Sequence, residues 1–151
     1  MILRDAVIDD LVDVFYWRND PLSRSMSIDD KLVKKLEHKR WFESALRNPD
    51  KQMYIGISEQ KKIGITRFDL NKKNGFTEVS INLNPCMRGK NLSFDLLLKS
   101  VTFYLKNKNR KLNAKVKNEN LPSLKIFKKV GFIEYENDNI YKYLKFLKNQ
   151  K

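Results

Sequence analysis

Residues 75–108 contain the pattern that most constrains the fold: a β-strand pattern, a short loop and then a long helical pattern. In "GFTEVSINL" polar and apolar residues alternate, which places Val79, Ile81 and Leu83 on one face of a strand and Glu78 on the other. After "NPCMRGK", the segment "FDLLLKSVTFYL" carries apolar residues at helical spacing. A strand that leads through a short polar loop into an amphipathic helix is typical of α/β proteins, in which the helix packs on the sheet.

Comparable patterns along the rest of the chain predict a single α/β domain spanning residues 1–151, with a mixed sheet of about seven strands flanked by about four helices. The predicted strands are "MILRDAV", the two arms of a hairpin in "QMYIGISEQKKIGITRFDL", "GFTEVSINL", "KLNAKV", "FIEYE" and "IYKYLKF". The predicted helices are "IDDLVDVFYWRN", which ends before Pro21, "KLVKKLEHKRWFESAL", residues 92–108, and "LPSLKIFKKV", which ends at Gly131.

The composition excludes several classes of protein. No apolar run approaches the ~20 residues of a membrane-spanning helix, and "MILRDAVIDDL" has acids where a signal peptide needs a basic start and an apolar stretch. The single cysteine, Cys86, rules out an internal disulfide framework, and the single histidine, His38, leaves too few soft ligands for a zinc site. We therefore expect a cytoplasmic protein without a metal.

The net charge of +13 is unevenly distributed. Residues 86–131 carry twelve Lys or Arg against two acids, whereas the first 85 residues carry thirteen of the eighteen acids. A strongly basic segment beside one that carries most of the acids favours an anionic ligand on one side of the molecule. Two alternatives remain open: nucleic-acid binding, which a strongly basic chain favours in general, and lysines that only solvate the surface.

The loop between the predicted fourth strand and the helix of residues 92–108 has the properties of a phosphate-binding site. A helix amino terminus leaves backbone N–H groups unpaired and carries the positive end of the macrodipole. Arg88 and Lys90 add charge there, and Gly89 allows a close backbone approach. Asn91 tolerates positive φ better than most residues, and Ser93 is small. Ordinary helix starts also look like this, so the loop alone does not establish a ligand.

The order of elements, this loop after the fourth strand and the later "NENLPSLKIFKKVGF" together resemble the GCN5-related N-acetyltransferases (GNAT) over essentially the whole chain. The family's loop pattern, Gln/Arg-x-x-Gly-x-Gly/Ala, is matched by residues 88–93 and implies a cradle for the pyrophosphate of acetyl-CoA. A second signature extends from Asn118 to the Gly131-Phe132 pair. The resemblance implies these cofactor-binding residues: Leu83 through its backbone N–H, Arg88, Gly89, Lys90, Asn91, Leu92, Ser93, Asn118, Ser123 and Phe127.

The chain departs from the family pattern at three positions. Asn91 and Ser93 replace small residues of the loop, which we expect to remain functional. Phe127 occupies a position where many relatives have a tyrosine that protonates the departing thiolate, and a phenyl ring cannot do so. Either another group or water supplies that proton, or the protonation is not limiting. Phe127 then packs against the pantetheine arm or in the core.

The resemblance implies direct acetyl transfer to a primary amine in a ternary complex, without an acetyl-enzyme. Most primary amines are protonated near pH 7, so a general base, acting directly or through water, raises the reactive fraction. Glu78 is the first candidate, because relatives often place a catalytic carboxylate on this strand; the alternative is a sheet acid paired with a lysine. His38 titrates in the right range, although it also fits an ordinary surface position on a helix.

The amino-terminal segment is expected to choose the acceptor. Its "FYWRND", "SRSM" and "HKRWF" are similar to the enzymes that act on nucleotide-linked amino sugars, including those of pseudaminic acid synthesis, which implies the 4-amino group of such a sugar as acceptor. Trp17 and Trp41 are then candidates for stacking and Arg18 or Arg24 for a diphosphate. The alternative for both tryptophans is core packing.

Other functions remain open from the sequence. A related pattern occurs in acetyltransferases of ribosomal-protein amino termini and of aminoglycosides. A rival from another class is an inactive basic module that binds nucleic acid on the same fold, for which Phe127 and the altered loop are the motivation. The sequence itself indicates no oligomeric state, and because the similar proteins often pair through their carboxyl-terminal strands, a homodimer is left open.

Overall fold

Seven strands form one mixed sheet in the computed structural model, which describes residues 1–147. They are β1 (Ile2–Asp5), β2 (Lys51–Ser58), β3 (Lys61–Leu70), β4 (Phe76–Leu83), β5 (Lys111–Lys117), β6 (Phe132–Asn137) and β7 (Tyr141–Phe146). The order across the sheet is β1-β2-β3-β4-β5-β7-β6. Neighbours are antiparallel except β4 and β5, which are parallel. The predicted sheet is confirmed.

Five helices accompany this sheet in the described part of the chain: α1 (Leu11–Asn19), α2 (Pro21–Met26), α3 (Lys35–Arg47), α4 (Leu92–Asn107) and α5 (Leu121–Val130). Short 3-10 turns cover Ile8–Asp10 and Pro85–Met87. The helix that the sequence did not predict is α2, which begins at Pro21. Asp20 caps it, because its Oδ2 accepts a hydrogen bond from Ser23 N at 3.0 Å, and proline is tolerated in a first helical turn.

The two faces of the sheet are packed by different helices. On one face α4 and α5 cover a core that includes Phe68, Val79 and Leu97. On the other face α1 and α3 pack on β2 and β3 through a second cluster that includes Phe42 and Ile55. A residue's parity along β4 therefore decides whether it points toward α4 or toward the opposite side.

Two glycines set how closely α4 lies on the sheet. Gly56 and Gly64 are opposite each other in β2 and β3. A Cβ at Gly56 would lie 2.6 Å from Cδ1 of Leu96, and one at Gly64 would lie 2.6 Å from the backbone oxygen of Asn82. Larger residues would push the helix or β4 outward. Because Leu96 is fully buried here, the first turns of α4 are held in a fixed place beside the end of β4.

A buried ion cluster anchors the start of α1. Asp10 is fully buried, accepts two hydrogen bonds of 2.8 Å from the Arg4 guanidinium, and lies 2.8 Å from Lys62 Nζ. Burial alone raises the pKa of Asp10, but the hydrogen bonds from Arg4 and Lys62 outweigh it and hold the pKa well below its usual value. The charged carboxylate thus connects β1, β3 and α1.

Candidate active site

The sheet opens between β4 and β5. Within residues 1–147, these strands pair only from Phe76 opposite Lys111 to Glu78 opposite Asn113. Both strands continue beyond this pairing, β4 to Leu83 and β5 to Lys117, so their carboxyl-terminal halves border a gap. Ligands of α/β sheets bind at the carboxyl ends of strands, where neighbouring strands separate. We refer to this space as the β4–β5 gap.

The backbone of β4 presents polar groups to the β4–β5 gap. Asn84 N donates to Ile63 O at 2.8 Å, and Phe76 O accepts from Asn71 N at 2.8 Å, so even-numbered residues direct their N–H and C=O groups toward β3. Because this direction alternates along a strand, the N–H groups of Ile81 and Leu83 point toward β5. In the described chain they lie beyond the β4–β5 pairing. They are therefore free to face a ligand in the β4–β5 gap, and the cofactor contact expected of Leu83 stays a prediction.

The loop that follows β4 ends at the amino terminus of α4. Gly89 has φ 75°, and Asn91 has φ 56° and ψ 29°, so both lie in the left-handed region. This is the conformation for which Asn91 is suited among non-glycine residues. The helix begins at Leu92, as predicted, and the N–H groups of Leu92 and Ser93 belong to its first turn, where the helix itself provides no acceptor. The loop and helix geometry therefore fit a phosphate group.

Arg88 has a different partner from the one that the sequence suggested. Its guanidinium forms an ion pair with the carboxylate of Asp20 and donates a hydrogen bond of 2.9 Å to Ser23 Oγ. The hydrogen bond from Arg88 lowers the pKa of Asp20. Arg88 thus connects the loop to the start of α2, while Lys90 is exposed on the same loop. We therefore expect Lys90 and the backbone N–H groups, rather than Arg88, to face the phosphates.

Asn118 lies just after β5, across the β4–β5 gap from the loop. Its backbone N donates to Ile140 O at 2.8 Å and its Nδ2 donates to Asp138 O at 2.9 Å. Its Oδ1 is buried and has no hydrogen-bond partner among the described residues. Buried acceptors are rarely left unpaired. This orphaned oxygen therefore supports the predicted role of Asn118 in holding a ligand that carries a donor.

Ser123 lies in the first turn of α5, at the same end of the sheet. Asn120 caps this helix, and its Oδ1 accepts a hydrogen bond from Ser123 N at 3.3 Å. Ser123 is half-buried, and its predicted cofactor contact stays a prediction. The two signature segments of the sequence, residues 88–93 and 118–123, thus follow the two strands that border the β4–β5 gap.

His38 is not available for the catalytic role that the sequence suggested. It is fully buried between α1 and α3. The Arg18 guanidinium lies 3.3 Å from Nδ1, and because it can only donate, Nε2 carries the proton and donates to Leu11 O at 2.8 Å. Burial lowers the pKa of His38, so the ring is neutral at pH 7. Both ring nitrogens are occupied by contacts within the protein, so the structure favours a structural role for His38.

Two aromatic candidates are also core residues. Trp17 is 5% exposed in the cluster beneath α1 and α3, which leaves its indole without an open surface for a sugar or a base. Phe127 is 2% exposed, and its ring is 5.0 Å from that of Phe132 in a T-shaped pair. The structure thus favours packing over the predicted ligand contacts for both side chains, and for Phe127 it selects the core among the alternatives.

The face of β4 opposite α4 carries the polar candidates. Glu78 is exposed there, and Ser80 follows two residues later on the same side. Arg67 of β3 donates from Nε to Ser80 Oγ at 3.1 Å. The guanidinium carbons of Arg18 and Arg67 lie 4.4 Å and 5.2 Å from the ring centroid of Trp41. Arg18 and Trp41 therefore lie together beside β3, which is next to the strand that carries Glu78, and their predicted contacts with an acceptor stay predictions.

Sequence reasoning missed Arg67. The signal was the alternation in "KKIGITRFDL", in which Ile65 and Arg67 share one face of the strand. A cation that follows an apolar residue on one face of a strand marks the point where the buried layer gives way to a polar site. Ile65 packs under α1 and α3, and Arg67 is the next residue on that face.

The segment after α1 covers this polar face. Lys117 Nζ of β5 donates to Ser25 O at 3.0 Å, and Tyr141 OH of β7 donates to Ile28 O at 3.4 Å. With the Arg88 contact at its start, the segment spans from the loop after β4 to β5 and β7. Arg24 is half-buried on this segment, and its predicted contact with an acceptor stays a prediction.

Two further properties concern the described residues as a whole. In residues 1–147 no group of three or more His, Cys, Asp and Glu side chains is arranged to hold a metal ion. None of the helices in this range is both long and apolar enough to cross a membrane.

Comparisons with known proteins agree with this geometry. The model of the acetyltransferase (GNAT) domain family matches residues 1–133. A putative phosphinothricin N-acetyltransferase superposes with a TM-score of 0.80 at 26% identity, covering 96% of each chain. A point mutant of spermidine N-acetyltransferase SpeG from Vibrio cholerae gives 0.81 at 18% identity, covering 97% of this chain and 95% of that one.

A third structure contains bound CoA. Spermidine N-acetyltransferase from Vibrio cholerae in complex with CoA and spermine superposes with a TM-score of 0.82 at 17% identity, covering 95% of this chain and 91% of that one. The search of curated proteins gave no match. The family match over residues 1–133, together with the β4–β5 gap and its loop, shows that the chain belongs to the GNAT family and is an acetyl-CoA-dependent N-acetyltransferase.

Proposed function

We propose that this enzyme transfers the acetyl group of acetyl-CoA directly to a primary amine on an anionic small molecule, and that the acceptor is a nucleotide-linked amino sugar acetylated at its 4-amino group. The observation that carries the proposal is the β4–β5 gap, which has backbone donors and a phosphate-type loop at its rim and a basic polar face on the side of Glu78.

The chain offers a separate set of donors and acceptors for each part of the cosubstrate, which supplies the acetyl group as an activated thioester. The backbone N–H groups of Leu92 and Ser93, with the Lys90 ammonium, bind the pyrophosphate. Asn118 Oδ1, which is buried and unpaired among the described residues, accepts a hydrogen bond from an amide N–H of the pantetheine arm. These residues fit acetyl-CoA through different chemistry on the two sides of the β4–β5 gap.

The N–H groups of Ile81 and Leu83 stabilise the charge that develops on the thioester oxygen as the amine attacks. They belong to a strand that the sheet and α4 hold rigid, so they need no rearrangement during the reaction. Neither group is covalently changed. This electrostatic role agrees with direct transfer, and it involves no nucleophilic side chain.

Glu78 serves as the general base through water. It lies on the same strand as Ile81, three residues earlier, which is roughly 10 Å at about 3.3 Å per residue. A carboxylate at that distance does not reach an amine held beside Ile81, whereas one or two water molecules bridge the space. Because Glu78 is exposed, such water has access to it.

The leaving thiolate receives no proton from Phe127. The phenyl ring has no proton to give and is buried in the core. A thiolate is a tolerable leaving group, so we propose that solvent protonates it after transfer and that this step does not limit the rate.

The polar face of the sheet opposite α4, which carries Glu78 and which we call the acceptor face, has charges that favour an anionic acceptor. Arg18 and Arg67 lie at Trp41, and Lys115 and Lys117 of β5 are on the same side of the sheet as Glu78. Spermidine, aminoglycosides and basic peptides are polycations at neutral pH, and these four cations repel them. The phosphates of a nucleotide sugar are attracted instead. The charges on this face therefore favour the proposed acceptor over the alternatives that the sequence left open.

A panel of amines tests the proposal. Release of the CoA thiol is followed with a thiol-reactive dye for a uridine-diphosphate-linked 4-amino sugar, spermidine, an aminoglycoside and a ribosomal-protein amino-terminal peptide. We expect the highest kcat/KM with the nucleotide sugar, and a rate that falls as salt screens the attraction. A higher kcat/KM for spermidine or the peptide would overturn the assignment of the acceptor, and no acetylation of any amine would contradict the proposed reaction.

A further inference from the structure

Two guanidinium groups share one indole on the acceptor face. Arg18 comes from α1, Trp41 from α3 and Arg67 from β3, so three separate elements bring these side chains together. The guanidinium carbon of Arg18 is 4.4 Å from the ring centroid of Trp41, and that of Arg67 is 5.2 Å from it. The two positive groups are therefore within about 10 Å of each other, a distance at which like charges repel in partly buried surroundings. We call these three residues the Arg-Trp-Arg cluster.

The cluster has no counter-ion from the described chain. Within residues 1–147, no carboxylate lies within 4.0 Å of either guanidinium, although Arg4 and Arg88 each have one. Burial lowers the pKa of Arg18 and the charge of Arg67 lowers it further, whereas Glu37 and Asp29 raise it only through space. The hydrogen bonds that the two side chains do make, to His38 Nδ1 and Ser80 Oγ, use neutral acceptors.

Packing alone explains one of these arginines but not both. A single cation on the indole suffices for a cation–π contact. The second cation adds repulsion and desolvation, which destabilise the fold unless an anion compensates for them. A pair of partly buried arginines with only neutral partners is the arrangement that recognises phosphates and carboxylates, because the planar guanidinium offers parallel N–H donors to two oxygens.

We propose that the Arg-Trp-Arg cluster binds the anionic group of the amine acceptor, a phosphate or a carboxylate. The identity of the acceptor rests on the proposed function, but the anion site itself does not. Arg67 is bonded to Ser80, which lies two residues from Glu78 on the same face of β4, about 7 Å away at ~3.3 Å per residue. An anion held here anchors the acceptor within reach of the base. Arg67 is thus a specificity-determining residue that the family resemblance did not supply.

The test measures anion binding without catalysis. The whole chain is first saturated with CoA, so that the loop of residues 88–93, the cofactor loop, is occupied. It is then titrated calorimetrically with inorganic pyrophosphate and, separately, with succinate. The variants are Arg67→Gln and Arg18→Gln. The matched control is Arg40→Gln, which removes the same charge from an exposed residue next to Trp41 on α3. Thermal unfolding and CoA affinity report whether each variant is folded. Arg67→Gln keeps the test decisive if Arg18→Gln, which also loses the His38 contact, does not fold.

We expect at least one of the two anions to bind, with an affinity that falls about tenfold or more in Arg67→Gln and Arg18→Gln and changes less than about twofold in Arg40→Gln. Binding of pyrophosphate alone assigns a phosphate, and binding of succinate alone assigns a carboxylate. The proposal is overturned if neither anion binds, or if Arg40→Gln weakens binding as much as Arg67→Gln does. Failure of CoA to bind in the first titration would instead count against the proposed function, so the two failures are distinguishable.

Discussion

Replacing Asp20 with Asn tests whether Arg88 acts on the cofactor loop by positioning it or by touching phosphate. In the structure the Arg88 guanidinium is bonded to Asp20 and Ser23, so the loop is fastened to the amino terminus of α2. Asn caps a helix about as well as Asp does. The substitution therefore leaves the cap of α2 in place and removes the charge that holds Arg88.

The size of the effect follows from the exposure of the pair. The side chains of Arg88 and Asp20 are 35% and 20% exposed, which places the pair between a surface ion pair and a buried one. Such a contact contributes about 1 kcal/mol, since exposed pairs contribute ~0–1 kcal/mol and hydrogen bonds to charged groups ~1.5–3 kcal/mol. If the contact positions the loop, its loss weakens acetyl-CoA binding by up to about fivefold.

The assay is calorimetric titration of acetyl-CoA into wild type, Asp20→Asn, Asp20→Ala and Asp30→Asn. Asp30→Asn is the charge-matched control, because Asp30 is an exposed acid on the same segment. We expect Asp30→Asn to bind acetyl-CoA as wild type does and Asp20→Asn to bind it severalfold more weakly. In a separate denaturant titration we expect Asp20→Ala to lose a further ~1 kcal/mol of unfolding free energy, because it also loses the cap of α2. Tighter binding by Asp20→Asn would refute the reasoning, because it would mean that Asp20 restrains an arginine that binds phosphate directly.

Three further predictions concern single side chains. Glu78→Gln lowers turnover by about ten- to a hundredfold, because a base that acts through water contributes less than the ~10⁴-fold that a base in direct contact contributes at most. The loss is largest at low pH, where free amine is scarcest, and an unchanged pH–rate profile would remove Glu78 from this role. Phe127→Tyr leaves the rate nearly unchanged, because protonation of the thiolate is not limiting, and lowers the unfolding free energy by ~1–3 kcal/mol if its buried hydroxyl lacks a partner; a large gain in rate would contradict this. Asp10→Asn lowers the unfolding free energy at pH 7 by about 3 kcal/mol, since it removes the buried carboxylate that Arg4 and Lys62 share; Arg4 loses its ion-pair partner, while Lys62 keeps Asp13 at 2.8 Å. The pKa of Asp10 is lowered by folding, so its contribution is present above pH ~4 and is lost as the pH falls below that value; denaturant titrations that show the same difference at pH 7 and pH 3 would contradict the assignment.

Much of the fold was predictable because local patterns and tertiary packing agree. The apolar face of β4 and the apolar face of α4 are buried against each other. The alternation along β4 and the helical spacing after Leu92 therefore predict the strand and the start of the helix correctly. The left-handed conformation of Asn91 also agrees with the residue's own preference. The loop geometry was therefore predictable even though two family residues are replaced.

The contacts within the site were less predictable, because they join distant parts of the chain. Nothing near Arg88 in the sequence indicates that Asp20 is its partner, although the cap by Asp20 that starts α2 is itself a local signal. Arg67 became a candidate only when the fold brought it to Trp41. His38 looked like a surface residue because its helix is rich in charge, yet it faces the buried side.

Binding of acetyl-CoA at residues 88–93 is tested most directly by the shift in thermal unfolding that it produces, measured at moderate salt with a polyanion such as heparin as control. A ligand at a hundred times its Kd adds ~2.7 kcal/mol to the free energy of unfolding, which for a chain of this size raises Tm by roughly 5–10 °C. We expect such a shift with acetyl-CoA but not with the polyanion, and a smaller shift with acetyl-CoA in Lys90→Gln. No shift with acetyl-CoA, or one of equal size with the polyanion, would contradict the claim that residues 88–93 and the β4–β5 gap hold the cosubstrate.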